Sequence, residues 1–329
     1  MEPFDQAIDT LPAELKSILA KVPSEMKETV NEIRFRVGRP IVLVCRKNHF
    51  YFVEPDGRPG LSVTRGFPIP RGLAEESVRS MSGYSLHSVQ NSLVNGFLTL
   101  PGGHRAGLAG SVAWEGGQIT AIRRTDCINL RVARQISGVA DRLCRHYRQY
   151  GFGGTLLVGP PASGKTTVLK DLCRQLSEEL CGECRKVSLI DERGEIAAVY
   201  KGQPQNDVGW NTDIFDGYSK QIGIDIAIRC MSPDVIVCDE IGGRGDADSV
   251  LSGVNAGVTM IATAHAASFE ELLARKNLGE ILDSGAFKWI ALLDSAKNAG
   301  QIREIVRYDE MHRTFTSVSD LGRGGNSSF

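Results

Sequence analysis

LLVGPPASGKTTVLK, residues 156–170, is the stretch that decides the fold of this chain. Within it Gly159, Pro160, Pro161, Ala162, Ser163, Gly164, Lys165 and Thr166 satisfy the phosphate-binding pattern G-x-x-x-x-G-K-[ST] in full. The flanks fit as well. Thr155 to Val158 is β-branched and apolar, which predicts a buried strand, and Val168, Leu169, Leu172 and Leu176 recur at helical spacing. The residue types follow from the chemistry. Gly159 and Gly164 let the backbone turn and approach phosphate oxygens. Successive N–H groups, through Thr166 and Thr167, then form a cradle at the positive end of a helix. Lys165 is placed to reach the β- and γ-phosphates, and the Thr166 hydroxyl to bind Mg²⁺. The implied ligands are ATP and Mg²⁺.

Further along, Ser232 to Glu240 reads SPDVIVCDE, an apolar strand ending in two carboxylates. A solvated acidic pair at a strand end has the same letters, but downstream of a complete phosphate loop this is the Walker B pattern. Asp239 would hold Mg²⁺, directly or through water, and Glu240 would orient or deprotonate the attacking water. A second strand, Leu189-Ile190, ends in Asp191, Glu192 and Glu195, which can surround the metal and water. A third, Ile261-Ala262, ends in Thr263 and His265. Thr263 is placed to sense the γ-phosphate and His265 to couple it to a neighbouring loop. Ligands of open α/β sheets sit at the carboxyl ends of the strands, which favours reading these residues together.

Strands at Val187–Ile190, Val235–Cys238, Val258–Thr263, Trp289–Leu293 and Ile302–Tyr308 alternate with helical patterns. The expected fold class is α/β, a P-loop NTPase core with a mostly parallel sheet, preceded by a smaller α+β domain. The expected division is 1–134 for the N-terminal domain and interdomain segment, 135–321 for the ATPase domain and 322–329 for a disordered tail. Within the first part, Thr10 and Ser24 are candidate N-caps. Glu32 to Val37 alternates charged and apolar residues as a half-exposed strand does. Ser88 to Phe97 has helical spacing. Gly107–Trp114 and Gln118–Ile122 form a hairpin, and Ile128–Val132 is a separate strand. A helix opens at Ile136 and runs to Tyr150, and Gly151 to Gly154 breaks it.

The chain has 329 residues, 42% of them hydrophobic, and a net charge of −1. That length suits two domains, and the charge gives no basic field of the kind nucleic acid selects. The start MEPFDQAIDTLPAELK is acidic and polar, unlike a signal peptide. No run approaches the roughly 20 apolar residues of a membrane helix. The eight cysteines lie mostly singly in apolar segments and read as small buried hydrophobes of a reducing cytoplasm. Cys181-Gly182-Glu183-Cys184 is a C-x-x-C without a second pair, too few ligands for a closed zinc site.

The order of phosphate loop, acidic box, Walker B and His box resembles that of the type II/type IV secretion and pilus-retraction ATPases. Ile190-Asp191-Glu192-Arg193-Gly194-Glu195 looks like their Asp box, Thr263-Ala264-His265 like their His box, and Arg229 like the arginine ahead of Walker B. A resemblance over nearly the whole chain is to the stage III sporulation AA family. It rests on EIRFRVGRP (32–40), PGGHRAG (101–107), TDIFDG (212–217) and MSPDVI (231–236). It implies a RecA/secretion-ATPase-like fold and a hexameric cytoplasmic ATPase, peripheral at a membrane complex. Such an enzyme would work with the other stage III sporulation membrane proteins around the forespore, with no direct nucleic acid partner. It also implies that an arginine of the first domain reaches nucleotide phosphates, among Arg105, Arg123, Arg124, Arg131 and Arg134, with Arg105 in the PGGHRAG stretch. The acidic box here reads D-E-R-G-E where secretion ATPases often read E-D-P-x-E. The division of roles among Asp191, Glu192, Glu195 and Glu240 therefore stays open.

Two other functions share these motifs. One is a nucleic-acid-dependent P-loop ATPase, disfavoured by the near-zero charge and the sparse interleaving of aromatic with basic residues. The other is a binding module switched by nucleotide, disfavoured by the Asp239-Glu240 pair.

Overall fold

A computed structural model describes residues 2–46, 49–85, 89–243, 245–309, 311–312 and 314–317. The expected tail at 322–329 lies outside them, as do Asn48 and Ser88 at the edges of two expected elements. The chain divides into two compact units: residues 1–134 with 198–205, and residues 135–197 with 206–329.

The first unit opens with three short helices, α1 (Pro3–Ile8), α2 (Ala13–Leu19) and α3 (Ser24–Lys27). The residues ahead of α2 and α3 are Pro12 and Pro23, and neither helix has a side-chain cap. Thr10 and Ser24 are thus not N-caps. The Thr10 hydroxyl instead donates to the Ala7 carbonyl at 2.8 Å. The strands are β1 (Val30–Arg36), β2 (Val42–Cys45), β3 (Phe50–Val53), β4 (Pro59–Gly60), β5 (Phe97–Thr99), β6 (Arg105–Glu115) and β7 (Gln118–Arg131). All pair antiparallel, in the order β4-β3-β2-β1-β7-β6-β5. Helices α4 (Arg71–Met81) and α5 (Gln90–Val94) contact β7. In β1, Ile33 and Phe35 are buried between charged neighbours, the period-two pattern of a half-buried strand. They join Phe4, Leu15, Leu19, Leu43, Leu98 and Leu130 in the core.

One expectation fails here. Residues 118–131 form a single strand rather than a hairpin arm and a separate strand. Its pairing with β6 shifts register at three places. Each shift leaves one β7 residue without a β6 partner, Asp126, Arg123 and Thr120 in turn, while Thr125 and Arg124 stay opposite Gly110 and Ser111.

The second unit begins with α6 (Asp141–Tyr150), five residues later than expected, because Gly138 takes a φ of +83° that a helix does not allow. Then come β8 (Thr155–Gly159), α7 (Lys165–Ser177), β9 (Val187–Asp191), β10 (Thr212–Asp216), α8 (Lys220–Cys230), β11 (Val235–Cys238), α9 (Asp246–Asn255), β12 (Thr259–His265), α10 (Phe269–Ala274), α11 (Lys276–Asp283), β13 (Trp289–Leu293), β14 (Ile302–Asp309) and β15 (Thr314–Ser317). The sheet order is β10-β9-β11-β12-β8-β13-β14-β15. Pairing is parallel from β10 through β13 and antiparallel beyond it. Strands β8, β9, β11 and β13 are buried at every residue, as parallel strands covered on both faces are.

Cysteine usage also departs from expectation. Cys144 of α6 is joined by a disulfide to Cys181 beyond α7, and Cys184 and Cys230 are exposed. Cys184 and Cys230 do not fit the reading as small buried hydrophobes; Cys144 and Cys181 are buried but joined to each other, and Cys45, Cys173 and Cys238 are buried thiols. Among the described residues no helix is long and apolar enough to cross a membrane.

Candidate functional site

Parallel pairing sets the site. The register places Cys238 beside Ile190 on one side and Ala262 on the other, and His265 beside Gly159. The carboxyl ends of β9, β11, β12 and β8 therefore lie in a row, and the acidic, His and glycine segments leave the sheet side by side. A cavity of about 450 Å³ opens there. It is lined by Ala162, Gly164, Lys165, Thr166 and Thr167 from the loop and α7, by Arg193 and Glu195, by Asp239 and Glu240, by Thr263 and His265, and by Ala299.

The loop's glycines serve different purposes. Gly164 has a φ of +88° and starts α7, a conformation in which a side chain is strained. Gly159 needs no such φ, but a Cβ on it would sit 2.5 Å from the Ser163 hydroxyl. The loop is braced from outside by the Gly300 N–H, which donates to the Ser163 carbonyl at 2.8 Å. The Ser163 hydroxyl itself is buried without a hydrogen-bond partner. Pro160 and Pro161 shape the loop but do not line the cavity.

Lys165 Nζ donates to the carbonyls of Gly159 and Pro160, both at 2.9 Å, and lies 3.0 Å from His265 Nδ1. Burial pulls its pKa down, against the opposing pull of Asp239 and Glu240. An ammonium can only donate, so His265 Nδ1 accepts and Nε2 carries the ring proton. That nitrogen faces Glu240 Oε1 at 3.5 Å. The Thr166 hydroxyl donates to Asp239 Oδ2 at 3.2 Å. The Thr263 hydroxyl donates to Asp239 Oδ1 and accepts from the Glu240 N–H at 2.9 Å. Glu240 has a φ of +33°, unusual for a residue with a side chain. Its N–H also donates to Asp239 Oδ1 at 2.9 Å, which holds that geometry.

The residues present fit magnesium. A threonine hydroxyl and a carboxylate at hydrogen-bond distance are the sparse hard-oxygen set this ion takes from protein, the remaining positions going to phosphate and water. Among the described residues no cluster of three or more His, Cys, Asp or Glu forms a dedicated cage.

The acidic box divides. Asp191 is 2% exposed and accepts from the N–H groups of Glu195, Ile196 and Ala197 at 3.0, 3.1 and 2.8 Å. Its carboxylate builds the turn beyond β9, and burial raises its pKa. Glu192 is paired with Lys220 at 2.9 Å and faces a small recess beside the main cavity. Glu195 lines the main cavity. Arg229 lies at the end of α8, its Nε donating to the Asp225 carbonyl at 3.2 Å, and is not among the lining residues. Arg105 belongs to the first unit, its guanidinium 3.7 Å from the centre of the Phe97 ring.

Sequence motifs gave no role to Arg193, whose Nη1 donates to Glu240 Oε2 at 2.9 Å, nor to Ala299 and Gly300. Nothing local marks the latter pair, because their contact with the loop spans more than a hundred residues of chain. Arg193 stands inside the acidic box, and its position between Glu192 and Gly194 was the available signal.

Comparison with known proteins adds the following. Residues 2–314 match the family described as "Sporulation stage III, protein AA". The stage III sporulation protein AA of Bacillus subtilis (strain 168) is 34% identical over 311 residues, 93% of this chain and 95% of that protein. Two solved structures share the fold. The Legionella pneumophila ATPase DotB superposes with a TM-score of 0.53 at 16% identity, covering 90% of this chain and 80% of that one. The pilus retraction motor PilT, solved with bound ADP, gives 0.53 at 16% identity over 82% and 75%. At such identity the likeness establishes a common α/β fold.

Proposed function

The chain belongs to the sporulation stage III protein AA family, and we propose that it is a magnesium-dependent ATP hydrolase powering a secretion-like channel complex during endospore formation. The observation that carries this is the convergence of Lys165, Thr166, Asp239, Glu240 and His265 on one cavity at adjacent strand ends. The shared fold with an ATPase and with a motor that binds ADP supports it.

In this proposal Gly159 to Thr167 cradle the phosphates. Lys165 exchanges its two neutral carbonyl partners for anionic phosphate oxygens, which are stronger acceptors. Thr166 and Asp239 hold Mg²⁺, which when bound neutralises charge shared between the β- and γ-phosphates. Glu240 accepts a proton from the attacking water or orients it. Thr263 and Asp239 fix the Glu240 backbone, and His265 links Lys165 to Glu240. Glu195 adds a carboxylate to the same wall, while Asp191 and Glu192 act by shaping the loop.

The functional division we assign is a P-loop core at 135–321 driving an α+β domain at 1–134. The working particle is a homo-oligomer, a hexamer by resemblance, on the cytoplasmic side of a complex of stage III sporulation membrane proteins. A net charge of −1 gives no reason to add nucleic acid.

The test is ATP turnover with Mg²⁺ by wild type, Lys165→Ala and Glu240→Gln, with particle mass measured across protein concentration. Both variants should lose at least about a hundredfold in kcat, the scale of lost charge stabilisation or proton transfer. A wild-type protein that never hydrolyses ATP, alone or with its membrane partners, would sink the proposal.

A further inference from the structure

Glu240 has both carboxylate oxygens engaged: Oε2 by Arg193 Nη1 at 2.9 Å and Oε1 by His265 Nε2 at 3.5 Å. A carboxylate held this way is a poor acceptor for a water proton. Arg193 is well suited to let go. Its side chain is 66% exposed and that of Glu240 41%, and ion pairs this open to water are weak and exchange readily. The arm that presents it is firm: Asp191 ties down the N–H groups of Glu195, Ile196 and Ala197, and Gly194 turns the chain with a φ of +62°. Arg193 also lines the main cavity, alongside Lys165. A guanidinium fork matches phosphate oxygens at least as well as a carboxylate, and a terminal phosphate carries more negative charge than Glu240.

We propose that Arg193 is a positioning residue that latches Glu240 in the nucleotide-free protein and transfers to the terminal phosphate of a bound nucleoside triphosphate, freeing Glu240. This rests on the ATPase reading above. A diphosphate lacks the competing group, so the latch stays closed after hydrolysis. The site thereby distinguishes triphosphate from diphosphate through one side chain.

The test is a double-mutant cycle on binding, with Mg²⁺-ATPγS and Mg²⁺-ADP as probes, for wild type, Arg193→Ala, Glu240→Gln and the double variant. Arg193→Ala should weaken ATPγS binding about tenfold, the worth of one charge-assisted hydrogen bond, and leave ADP binding within about twofold. Glu240→Gln loosens the latch and should tighten ATPγS binding roughly two- to fivefold, the scale of an exposed ion pair. That gain should vanish in the double variant, and Arg193→Lys should recover part of the ATPγS affinity. Equal losses for both nucleotides in Arg193→Ala, or a Glu240→Gln gain that persists without Arg193, would overturn the latch. Wild type binding neither nucleotide, or Lys165→Ala binding as wild type does, would instead remove the ATPase reading, and the latch with it.

Discussion

At the scale of single residues, Thr263 ties the Asp239 carboxylate to the Glu240 backbone at the Walker B strand end. Its hydroxyl donates to Asp239 and accepts from the Glu240 N–H, and the residue is fully buried. Thr263→Val keeps the shape and removes both bonds. Glu240 N–H retains its bond to Asp239, so the stability cost should be modest, about 1–2 kcal/mol in urea unfolding. Activity should suffer more, because Glu240 sits at a positive φ that this hydroxyl helps to hold. A fall in kcat of about tenfold is expected, with recovery by Thr263→Ser. Phosphate-loop and Walker B residues were legible from sequence because a tight turn and a strand end impose fixed spacings. The roles within the acidic box were not legible. One-letter order cannot say that Asp191 turns inward to backbone N–H groups while Arg193 turns outward to Glu240; that depends on the path of the chain after β9.

At the scale of elements, the strand carrying the phosphate loop is seated by Gly154. A Cβ there would lie 1.9 Å from the Ala286 carbonyl oxygen, a backbone atom. The Gly154 carbonyl also accepts from the Trp289 N–H at 2.9 Å, at the start of the β8–β13 ladder. Gly154→Ala must therefore push β8 from β13 and should cost about 3 kcal/mol, read as a lowered urea midpoint, with weakened nucleotide binding. The sequence marks Gly154 as a helix breaker without showing this close approach. Long apolar strands were legible because burial on both faces leaves an unbroken run of Val, Leu and Ile. Strand β10 was not. It lies at the edge of the sheet with only Phe215 buried, and five residues with two acids carry no strand period. The length of β7 was hidden for a related reason: its bulges break the alternation that a period-two reading needs.

At the scale of the whole molecule, each unit buries a histidine that sequence alone does not distinguish from a solvated one. In the first, His104 is fully buried, its Nδ1 accepting from the Ala133 N–H at 2.9 Å, and its Nε2 has no partner. Burial, with the nearby Arg134 charge, lowers its pKa to about 4. In the second, His146 on α6 packs edge-on against Trp289, and burial, with Lys288 and Arg142, lowers its pKa to about 4 as well. The sign follows from linkage. An unfolded histidine takes up its proton near pH 6.5 and these folded ones near 4, so between those values the unfolded chain binds more protons. Through its histidine each unit is at full stability above about pH 6.5, loses stability as pH falls toward 4 and loses no more below it; in the second unit Asp191 and Asp216, whose pKa burial raises, act in the opposite sense. For His104 the loss is on the order of 3 kcal/mol. The exposed carboxylates with lowered pKa, such as Asp126 and Asp309, titrate below this window. The first-unit urea midpoint measured at intervals from pH 7 to 4.5 should therefore drop steadily for wild type. His104→Gln keeps an acceptor for the Ala133 N–H but cannot take up a proton, so its first-unit transition should be flatter across the same range. Parallel slopes for the two proteins would show that His104 is protonated in the fold as readily as in the unfolded chain.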